Sequence, residues 1–230
     1  MLELSEVSKS YTVGGREVRA LDRVSLRFDA GTFTAVVGPS GSGKSTLLHL
    51  LGTLDSPDSG RVAFRGEPVD GLGEQRQAAF RRHTIGFVFQ FFNLLPTLSA
   101  WENVALPSLL DGGTLRGARA RAHDLLDTVG LTDRAEHRPA QLSGGQMQRV
   151  AVARALMLDP PIVLADEPSG NLDTHAGDEL MALLARLARD GDRQRAVVMV
   201  THDQQAAAGT DRVVTLRDGR VADDTGREAP

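Results

Sequence analysis

A short glycine-rich segment, residues 38–45, carries the most specific chemistry in this sequence. It reads Gly-Pro-Ser-Gly-Ser-Gly-Lys-Ser and fits the phosphate-binding pattern G-x-x-x-x-G-K-[ST] at every fixed position. An apolar run at Phe33–Val37 precedes it, and a helix-compatible run at Thr46–Leu51 follows it. Glycines let several backbone N–H groups point at one anion, and the helix that follows adds its positive N-terminal end. The predicted nucleotide-binding residues of this segment are Gly38, Pro39, Ser40, Gly41, Ser42, Gly43, Lys44, Ser45 and Thr46.

Two side chains of this segment have individual roles in the pattern. Lys44 would reach the terminal phosphates of a nucleotide, and the Ser45 hydroxyl can bind Mg²⁺. Of the 26 lysines and arginines in the chain, only Lys9 and Lys44 are lysines. A compact ammonium fits such a loop, whereas a planar guanidinium has a different shape and donor array. An ordinary Gly/Ser-rich turn between a strand and a helix is the alternative interpretation.

A second group of candidate residues follows an apolar run at Ile162–Ala165, which ends in two adjacent carboxylates. In open α/β sheets, functional groups lie at the carboxyl ends of the strands. We predict that Asp166 binds the metal ion, directly or through water, and that Glu167 polarises the attacking water as a general base. The alternative is an acidic turn at a strand end, followed by Pro168.

A third segment, Leu142–Gln146, predicts a second anion-binding helix start. Ser143 is a suitable N-cap, and Gly144 and Gly145 leave backbone N–H groups accessible. The alternative is a simple helix N-cap with no ligand. The helix that follows is predicted to bury a stripe consisting of Met147, Val150, Ala151, Ala155 and Leu158.

Strand and helix patterns alternate around these segments, which predicts an α/β fold with a parallel sheet. The region from about residue 97 to 158 is predicted to be mainly helical, including a helix over Gly117–Val129 closed by Gly130. A further helix is predicted at Thr174–Arg189. The predicted strands are Leu2–Val7, Val24–Phe28, Phe33–Val37, Gly60–Phe64, Ile85–Phe89, Ile162–Asp166, Ala196–Thr201 and Arg212–Leu216.

Composition excludes several classes of protein. A net charge of −4 over 230 residues argues against a nucleic-acid partner. Three arginines at positions 116, 119 and 121 are better explained as a solvated helix face than as a binding patch. The chain has no cysteine, which excludes disulfides and Cys-bound metals and is compatible with the cytoplasm. The acidic N-terminus does not resemble a signal peptide, and no apolar run approaches the ~20 residues that cross a bilayer. We therefore expect a soluble chain that reaches a membrane only through a partner.

Taken together, the motifs resemble those of the ATP-binding subunit of an ABC transporter, over nearly all 230 residues. The segments at 38–45, 138–146 and 162–167 match its phosphate loop, signature, and Walker B strand with the catalytic glutamate. The remaining matches are Tyr11 for the aromatic that stacks on adenine, Gln90 for the Q-loop, residues 169–173 for the D-loop and His202 for the switch histidine.

This resemblance implies a fold and a set of roles. The fold would be a P-loop NTPase core with an antiparallel β subdomain, at about residues 1–90 and 159–230, and an inserted α-helical subdomain at about 91–158. The cofactors would be ATP and Mg²⁺. Catalysis would use Glu167, His202 and Gln90, and the metal would be bound by Ser45, Gln90 and Asp166. Besides the phosphate loop, the nucleotide contacts would come from Tyr11 and from Ser143, Gly144, Gly145 and Gln146.

The resemblance also implies partners. Two copies would pair head to tail, with ATP between the phosphate loop of one and Ser143–Gly145 of the other. The segments around residues 51–60, 91–104 and 166–173 are similar to those of macrolide exporters, lipoprotein-release ATPases and antimicrobial-peptide detoxification ATPases. That branch works with a permease of few membrane helices and a large extracytoplasmic domain, which places the ATPase on the inner face of the cell membrane. Four apolar residues fit either a groove for a permease helix or the subdomain core: Phe91, Phe92, Leu94 and Leu95.

Two other functions fit parts of the pattern. A regulatory ATPase of the same build would signal to extracytoplasmic wall hydrolases and transport nothing. A soluble ABC ATPase acting on DNA or ribosomes is disfavoured, because that class carries coiled-coil inserts, tandem domains or basic linkers, and this acidic chain has none.

Overall fold

A computed structural model of the protein describes residues 1–190 and 194–226. Its strands are β1 (Leu2–Val13), β2 (Arg16–Phe28), β3 (Phe33–Val37), β4 (Ser59–Phe64), β5 (Glu67–Pro68), β6 (Ile85–Phe89), β7 (Ile162–Asp166), β8 (Ala196–Thr201), β9 (Arg212–Arg217) and β10 (Arg220–Asp224). Its α-helices are α1 (Lys44–Leu51), α2 (Glu74–Thr84), α3 (Ala100–Leu110), α4 (Leu115–Thr128), α5 (Gly144–Ala155), α6 (Thr174–Arg189) and α7 (Gln204–Ala208).

The main sheet has the strand order β10-β9-β3-β8-β7-β6, and every pairing except β9 with β10 is parallel. Its central strands are apolar on both faces, which is typical of parallel sheets covered on two sides. Side chains alternate between two cores along β3: Phe33, Ala35 and Val37 join one core, and Val36 joins the other. Helices α3 to α6 cover the first face, and α1 with strands of the second sheet covers the second.

The second sheet is antiparallel, in the order β2-β1-β4-β5. The predicted strands Leu2–Val7 and Val24–Phe28 are each part of a longer strand, because β1 and β2 continue into a hairpin that turns at Gly14 and Gly15. Both glycines have positive φ, which suits a two-residue hairpin turn. The outer half of this hairpin is exposed, so it lacks the buried alternation that marks a strand in the sequence.

The mainly helical region predicted between residues 97 and 158 contains α3, α4 and α5. The predicted helix Gly117–Val129 corresponds to α4, which begins two residues earlier because the Thr114 hydroxyl accepts a hydrogen bond from the Gly117 N–H, 3.2 Å long. The subdomain boundaries near residues 91 and 158 stay predictions, and residues 191–193 and 227–230 of the predicted core lie outside the described residues. Within the described residues, no helix combines the length and apolarity needed to span a membrane.

The buried stripe predicted for α5 is partly wrong. Val150 and Ala151 are buried, but Met147, Ala155 and Leu158 are only half-buried. Other side chains take their place in the interior, namely Gln148, Val152 and Ala153. The reason is that α5 packs against α3, α4, α6 and β6, so it is covered on more than one side.

Candidate active site

The phosphate loop joins the carboxyl end of β3 to the start of α1. Two of its glycines are required by their surroundings. A Cβ on Gly38 would lie 2.2 Å from the carbonyl oxygen of Leu216, and one on Gly43 would lie 2.3 Å from that of Ala20. Both glycines also have positive φ, 155° and 102°. The loop can therefore pass close to β9 and β2 and still present its N–H groups at the start of α1.

The Lys44 ammonium is held across this loop. Its Nζ donates hydrogen bonds to the carbonyl oxygens of Gly38, at 2.8 Å, and Pro39, at 3.0 Å. These contacts keep one positive charge beside the loop N–H groups. The arrangement suits an anion with several oxygens, such as a nucleotide phosphate.

A cavity of about 390 Å³ opens onto the loop. It brings together eight of the predicted site residues: Ser40, Gly41, Gly43, Lys44, Ser45, Thr46, Glu167 and His202. Ser42 is buried beneath the loop, while Gly38 and Pro39 line an adjoining cavity that shares His202. Val18 and Ala20 of β2 also line the first cavity. Sequence reasoning missed these two residues, because only the fold brings β2 alongside the loop.

Glu167 lies directly after β7, with a positive φ of 44° and a side chain that is 19% exposed. Its Oε2 accepts a hydrogen bond from the Thr201 hydroxyl, at 2.9 Å. Its Oε1 accepts one from the His202 backbone N–H, at 3.0 Å, and lies 2.8 Å from His202 Nδ1. Both oxygens are thus held by the end of β8, and the carboxylate faces the cavity beside an exposed imidazole.

Thr201 is a positioning residue that the sequence motifs did not single out. Its hydroxyl accepts a hydrogen bond from the Asp203 N–H, at 3.0 Å, so its own proton is directed to Glu167. Gln148 of α5 is also a positioning residue. Its Nε2 donates hydrogen bonds to the carbonyl oxygens of Phe89 and Pro168, which precede Gln90 and follow Glu167 in the chain. A polar residue among the buried positions of α5 is the signal that could have identified it.

Asp166 is half-buried at the end of β7. Burial raises the pKa of its carboxyl, the charge of Glu167 adds to that rise, and His49 and Lys44 oppose it. A cation bound beside Asp166 would stabilise its ionised form. In the described part of the chain, no three His, Asp or Glu side chains converge on a metal position. Mg²⁺ keeps several waters and phosphate oxygens and needs only one or two protein groups, so one carboxylate and one hydroxyl suffice in kind. Ser45 lines the cavity, whereas Asp166 does not.

Tyr11 and Gln90 do not line the cavity. Tyr11 lies beside it, directly opposite Val18 in the β1–β2 pairing. Gln90 is turned toward the D-loop, where its Nε2 lies 3.4 Å from Asn171 Oδ1 and its carbonyl oxygen accepts a bond from Asn171 Nδ2 at 3.1 Å. The structure therefore places Gln90 next to Asn171, after the strand that pairs with β7.

The signature segment is also absent from the cavity of its own chain. Ser143 is exposed and caps α5: its Oγ accepts a hydrogen bond from the Gln146 N–H, and its own N–H donates to Gln146 Oε1 at 2.9 Å. The predicted N-cap is therefore confirmed. Gly144, Gly145 and Gln146 form the first turn of the helix behind it. The start of α5 is exposed at Ser143, and none of these four residues lines the cavity at the phosphate loop of the same chain.

Comparison with known proteins identifies the family. The family model described as ABC transporter matches residues 21–170, which is more than half of the chain. The chain belongs to the ABC transporter family. Over 228 residues it is 49% identical to the macrolide export ATP-binding/permease protein MacB of Hyphomonas neptunium, and this match covers 99% of the chain but 35% of that relative. The chain thus spans about a third of the length of MacB.

Other ABC proteins match along their whole length. The lipoprotein-releasing system ATP-binding protein LolD of Geobacter metallireducens is 49% identical over 224 residues, 97% of this chain and 99% of that protein. A dimeric bacterial ABC transporter cassette, MJ0796, has a TM-score of 0.86 and 42% identity, covering 97% of both chains. The same cassette has also been solved as a dimer in a post-hydrolysis state with ADP and phosphate. These likenesses confirm the predicted family, the α/β fold class and an ABC-type ATPase that binds ATP.

Proposed function

We propose that this chain hydrolyses Mg²⁺-bound ATP in a head-to-tail dimer and thereby drives a membrane permease. The observation that carries the proposal is the single cavity in which Lys44, Ser45, Glu167 and His202 meet. A phosphate anchor, a hydroxyl for the metal, a carboxylate base and an imidazole are the groups that hydrolysis of a terminal phosphate requires.

In the proposed reaction, a water oxygen forms a bond to the γ-phosphorus while the bond from that phosphorus to the ADP oxygen breaks. The proton of the water passes to the Glu167 carboxylate, which Thr201 and His202 hold at the edge of the cavity. His202 would contact the γ-phosphate with its exposed ring, and the loop N–H groups with Lys44 would hold the phosphate oxygens. Gln90 would reach the γ-phosphate and the metal by turning away from Asn171.

Magnesium would neutralise charge on the β- and γ-phosphate oxygens when it is bound. Ser45 and Asp166 are the groups we assign to it, with Gln90 as a third. The ring of Tyr11 would contact the adenine from the side of the cavity where Val18 lies.

The second half of the site would come from another copy of the chain. Ser143, Gly144, Gly145 and Gln146 present an open helix start that is separate from the cavity of their own chain. A helix N-terminus of this kind stabilises a phosphate group. The dimeric state of the MJ0796 cassette, which has the same fold, supports this arrangement.

The permease is proposed to be of the kind with few membrane helices and a large extracytoplasmic domain, since MacB and LolD are relatives along the whole chain. The chain would then sit on the inner face of the cell membrane. A groove of about 510 Å³ between the core and the helical region offers a docking site for a permease helix. Its lining includes Leu54, Phe87, Phe89, Leu110 and Leu158, with Arg81, Arg82 and Arg154 among them.

The four apolar residues at positions 91, 92, 94 and 95 differ in burial. Leu94 packs against the core, and Phe92 is half-buried. Phe91 and Leu95 are 69% and 47% exposed, but neither lines the groove. The apolar lining of the groove therefore comes from residues other than these four. Because three arginines accompany its apolar lining, we expect the docking helix to carry acidic residues beside its apolar face.

Replacement of Lys44 by alanine tests nucleotide binding. We expect the Kd for ATP to rise about 10- to 100-fold, since a charge-assisted contact to the phosphates is lost. Both KM and kcat of hydrolysis should suffer, because the contact exists in the ground state and in the transition state. The measurement is titration calorimetry with ATP. Arg61→Ala, which removes an exposed positive charge from β4, is the control and should bind ATP normally. An unchanged Kd in Lys44→Ala would contradict the assignment of the phosphate loop.

Replacement of Leu110 by glutamate tests the groove. Leu110 is 75% exposed at the edge of the groove, so the change should not disturb folding. We expect co-purification with the permease of the proposed complex to fall, because a carboxylate would be buried in an apolar contact. ATP hydrolysis by the isolated chain should be unchanged. Val13→Glu, a similar change at a 63% exposed site on the distant hairpin, should bind the permease normally. Equal retention of the permease by both variants would exclude the groove as the docking site.

A further inference from the structure

A cluster of charged and hydroxyl groups lies behind Tyr11, outside the cavity. The Tyr11 hydroxyl donates a hydrogen bond to Asp55 Oδ2, at 2.9 Å. Asp55 Oδ1 accepts two more, from Lys9 Nζ at 2.8 Å and from the Ser56 N–H at 2.7 Å. Both carboxylate oxygens are thus engaged. Asp55 belongs to the segment after α1, so the cluster links β1 to the helix that begins in the phosphate loop.

Lys9 strengthens this link. Its side chain is 12% exposed, and its ammonium donates a second hydrogen bond to the Ser56 carbonyl oxygen, at 2.7 Å. The same ammonium lies 5.4 Å from the centre of the Tyr11 ring, over one face of it. A base stacked on Tyr11 would therefore occupy the opposite face. The ring is held at its hydroxyl by Asp55 and on one face by Lys9.

We propose that Asp55 is a positioning residue for the nucleotide base: it fixes the Tyr11 hydroxyl and thereby the plane of the ring that the adenine contacts. This inference rests on the proposed role of Tyr11 in the ATP site. Asp55 lies in the segment at residues 51–60 that resembles one branch of the family, but the resemblance gives it no role. It does not line the cavity that the phosphates would occupy.

The ionisation of the phenol reports this contact. Burial raises the pKa of Tyr11, the hydrogen bond to Asp55 raises it further, and a hydrogen bond with the Thr46 side chain opposes the rise. The charge of Asp55 adds to the rise, and Lys9 opposes it. Tyr11 is the only tyrosine of the chain, so tyrosinate absorbance measures this one group. In Asp55→Ala, the pKa of Tyr11 should fall, because the loss of the acceptor and of the negative charge both favour the phenolate.

The binding experiment compares ATP with inorganic tripolyphosphate, which has the phosphates but no base. In Asp55→Ala we expect ATP affinity to fall about 3- to 10-fold, the range of one lost hydrogen bond, and tripolyphosphate affinity to stay unchanged. Tyr11→Phe keeps the ring but removes the hydroxyl, and it should show the same loss. The double variant should be no weaker than either single one, because both remove the same contact. In hydrolysis, KM for ATP should rise and kcat at saturation should not.

Asp58→Ala is the matched control. Asp58 lies three residues further on, 3.6 Å from Lys9 Nζ, and accepts a hydrogen bond from the Ser10 N–H, but it makes no hydrogen bond to Tyr11. The ratio of ATP to tripolyphosphate affinity should be normal in this variant. Equal weakening of both ligands in Asp55→Ala, or additive losses in the double variant, would overturn the proposal, as would an unchanged pKa of Tyr11.

A further variant separates this inference from the proposed function. Tyr11→Ala should weaken ATP more than Tyr11→Phe, because the ring itself is lost. If Tyr11→Ala binds ATP normally, Tyr11 does not contact the base and the role of Asp55 is excluded. The proposed ATPase function is tested separately by Lys44→Ala, which removes a contact to the phosphates and does not involve Tyr11.

Discussion

Replacing Glu167 with glutamine should abolish ATP turnover while leaving ATP binding intact. The amide oxygen can still accept a hydrogen bond from the Thr201 hydroxyl or the His202 N–H, so the turn after β7 should keep its shape. An amide cannot accept the proton of the attacking water, and loss of a general base typically slows a reaction ~10²–10⁴-fold. The rate is measured in a single turnover with excess protein, and the Kd for ATP by calorimetry.

The same variant should accumulate as an ATP-bound dimer if hydrolysis opens the proposed head-to-tail pair. Size-exclusion chromatography with ATP and with ADP measures this state, and only ATP should give the dimer. Glu74→Gln, in the first turn of α2, removes a carboxylate that does not line the cavity and should hydrolyse ATP normally. Near-normal hydrolysis by Glu167→Gln would remove Glu167 from the role of base.

The parts of the fold that the sequence predicted best are the strands buried on both faces. The predicted bounds of Phe33–Val37, Ile85–Phe89, Ile162–Asp166 and Ala196–Thr201 are those of β3, β6, β7 and β8. Burial on both faces restricts most of these positions to apolar residues, so the apolar runs mark the extent of the strands closely. Helix α2 has no buried side chain at all, and therefore no apolar periodicity by which it could be predicted.

The site residues also differ in how well the sequence predicts them. The phosphate loop could be predicted because its groups are contiguous, so local spacing specifies its geometry. Asp55 and Thr201 could not, because their roles depend on which distant segments the fold places together. Asp55 is 44 residues from Tyr11 along the chain, and Thr201 is 34 residues from Glu167. Such contacts leave no fixed spacing in the sequence.

A single chain also holds only part of the site that the motifs describe. The cavity contains the phosphate loop, Glu167 and His202, but not Ser143. We account for this by the head-to-tail pair, in which each chain completes the cavity of the other. The pairing predicts that a change at Ser143 blocks catalysis in the partner chain and leaves the cavity of its own chain able to bind ATP.

Ser143→Arg tests that prediction. Ser143 is exposed, so the larger side chain can be accommodated in the monomer, at a cost of about 1 kcal/mol for the lost N-cap. We expect normal ATP binding and no measurable hydrolysis, because the arginine obstructs closure of the dimer. Thr114→Arg is the matched control: Thr114 is likewise an exposed N-cap whose hydroxyl accepts one backbone hydrogen bond, but it begins α4. That variant should lose similar stability and retain hydrolysis.

Mixed dimers show which chain Ser143 serves. When one chain carries Ser143→Arg and the other Lys44→Ala, both changes fall in one composite site and the other site is intact. Hydrolysis should return in this mixture if the two sites act independently, and stay absent if they are strictly coupled. Because the chain has no cysteine, the geometry can be measured directly by pairing a Ser40→Cys chain with a Ser143→Cys chain. The disulfide should form between the two chains and only with ATP. If it formed instead within a chain that carries both cysteines, Ser143 would face its own phosphate loop and the head-to-tail arrangement would be wrong.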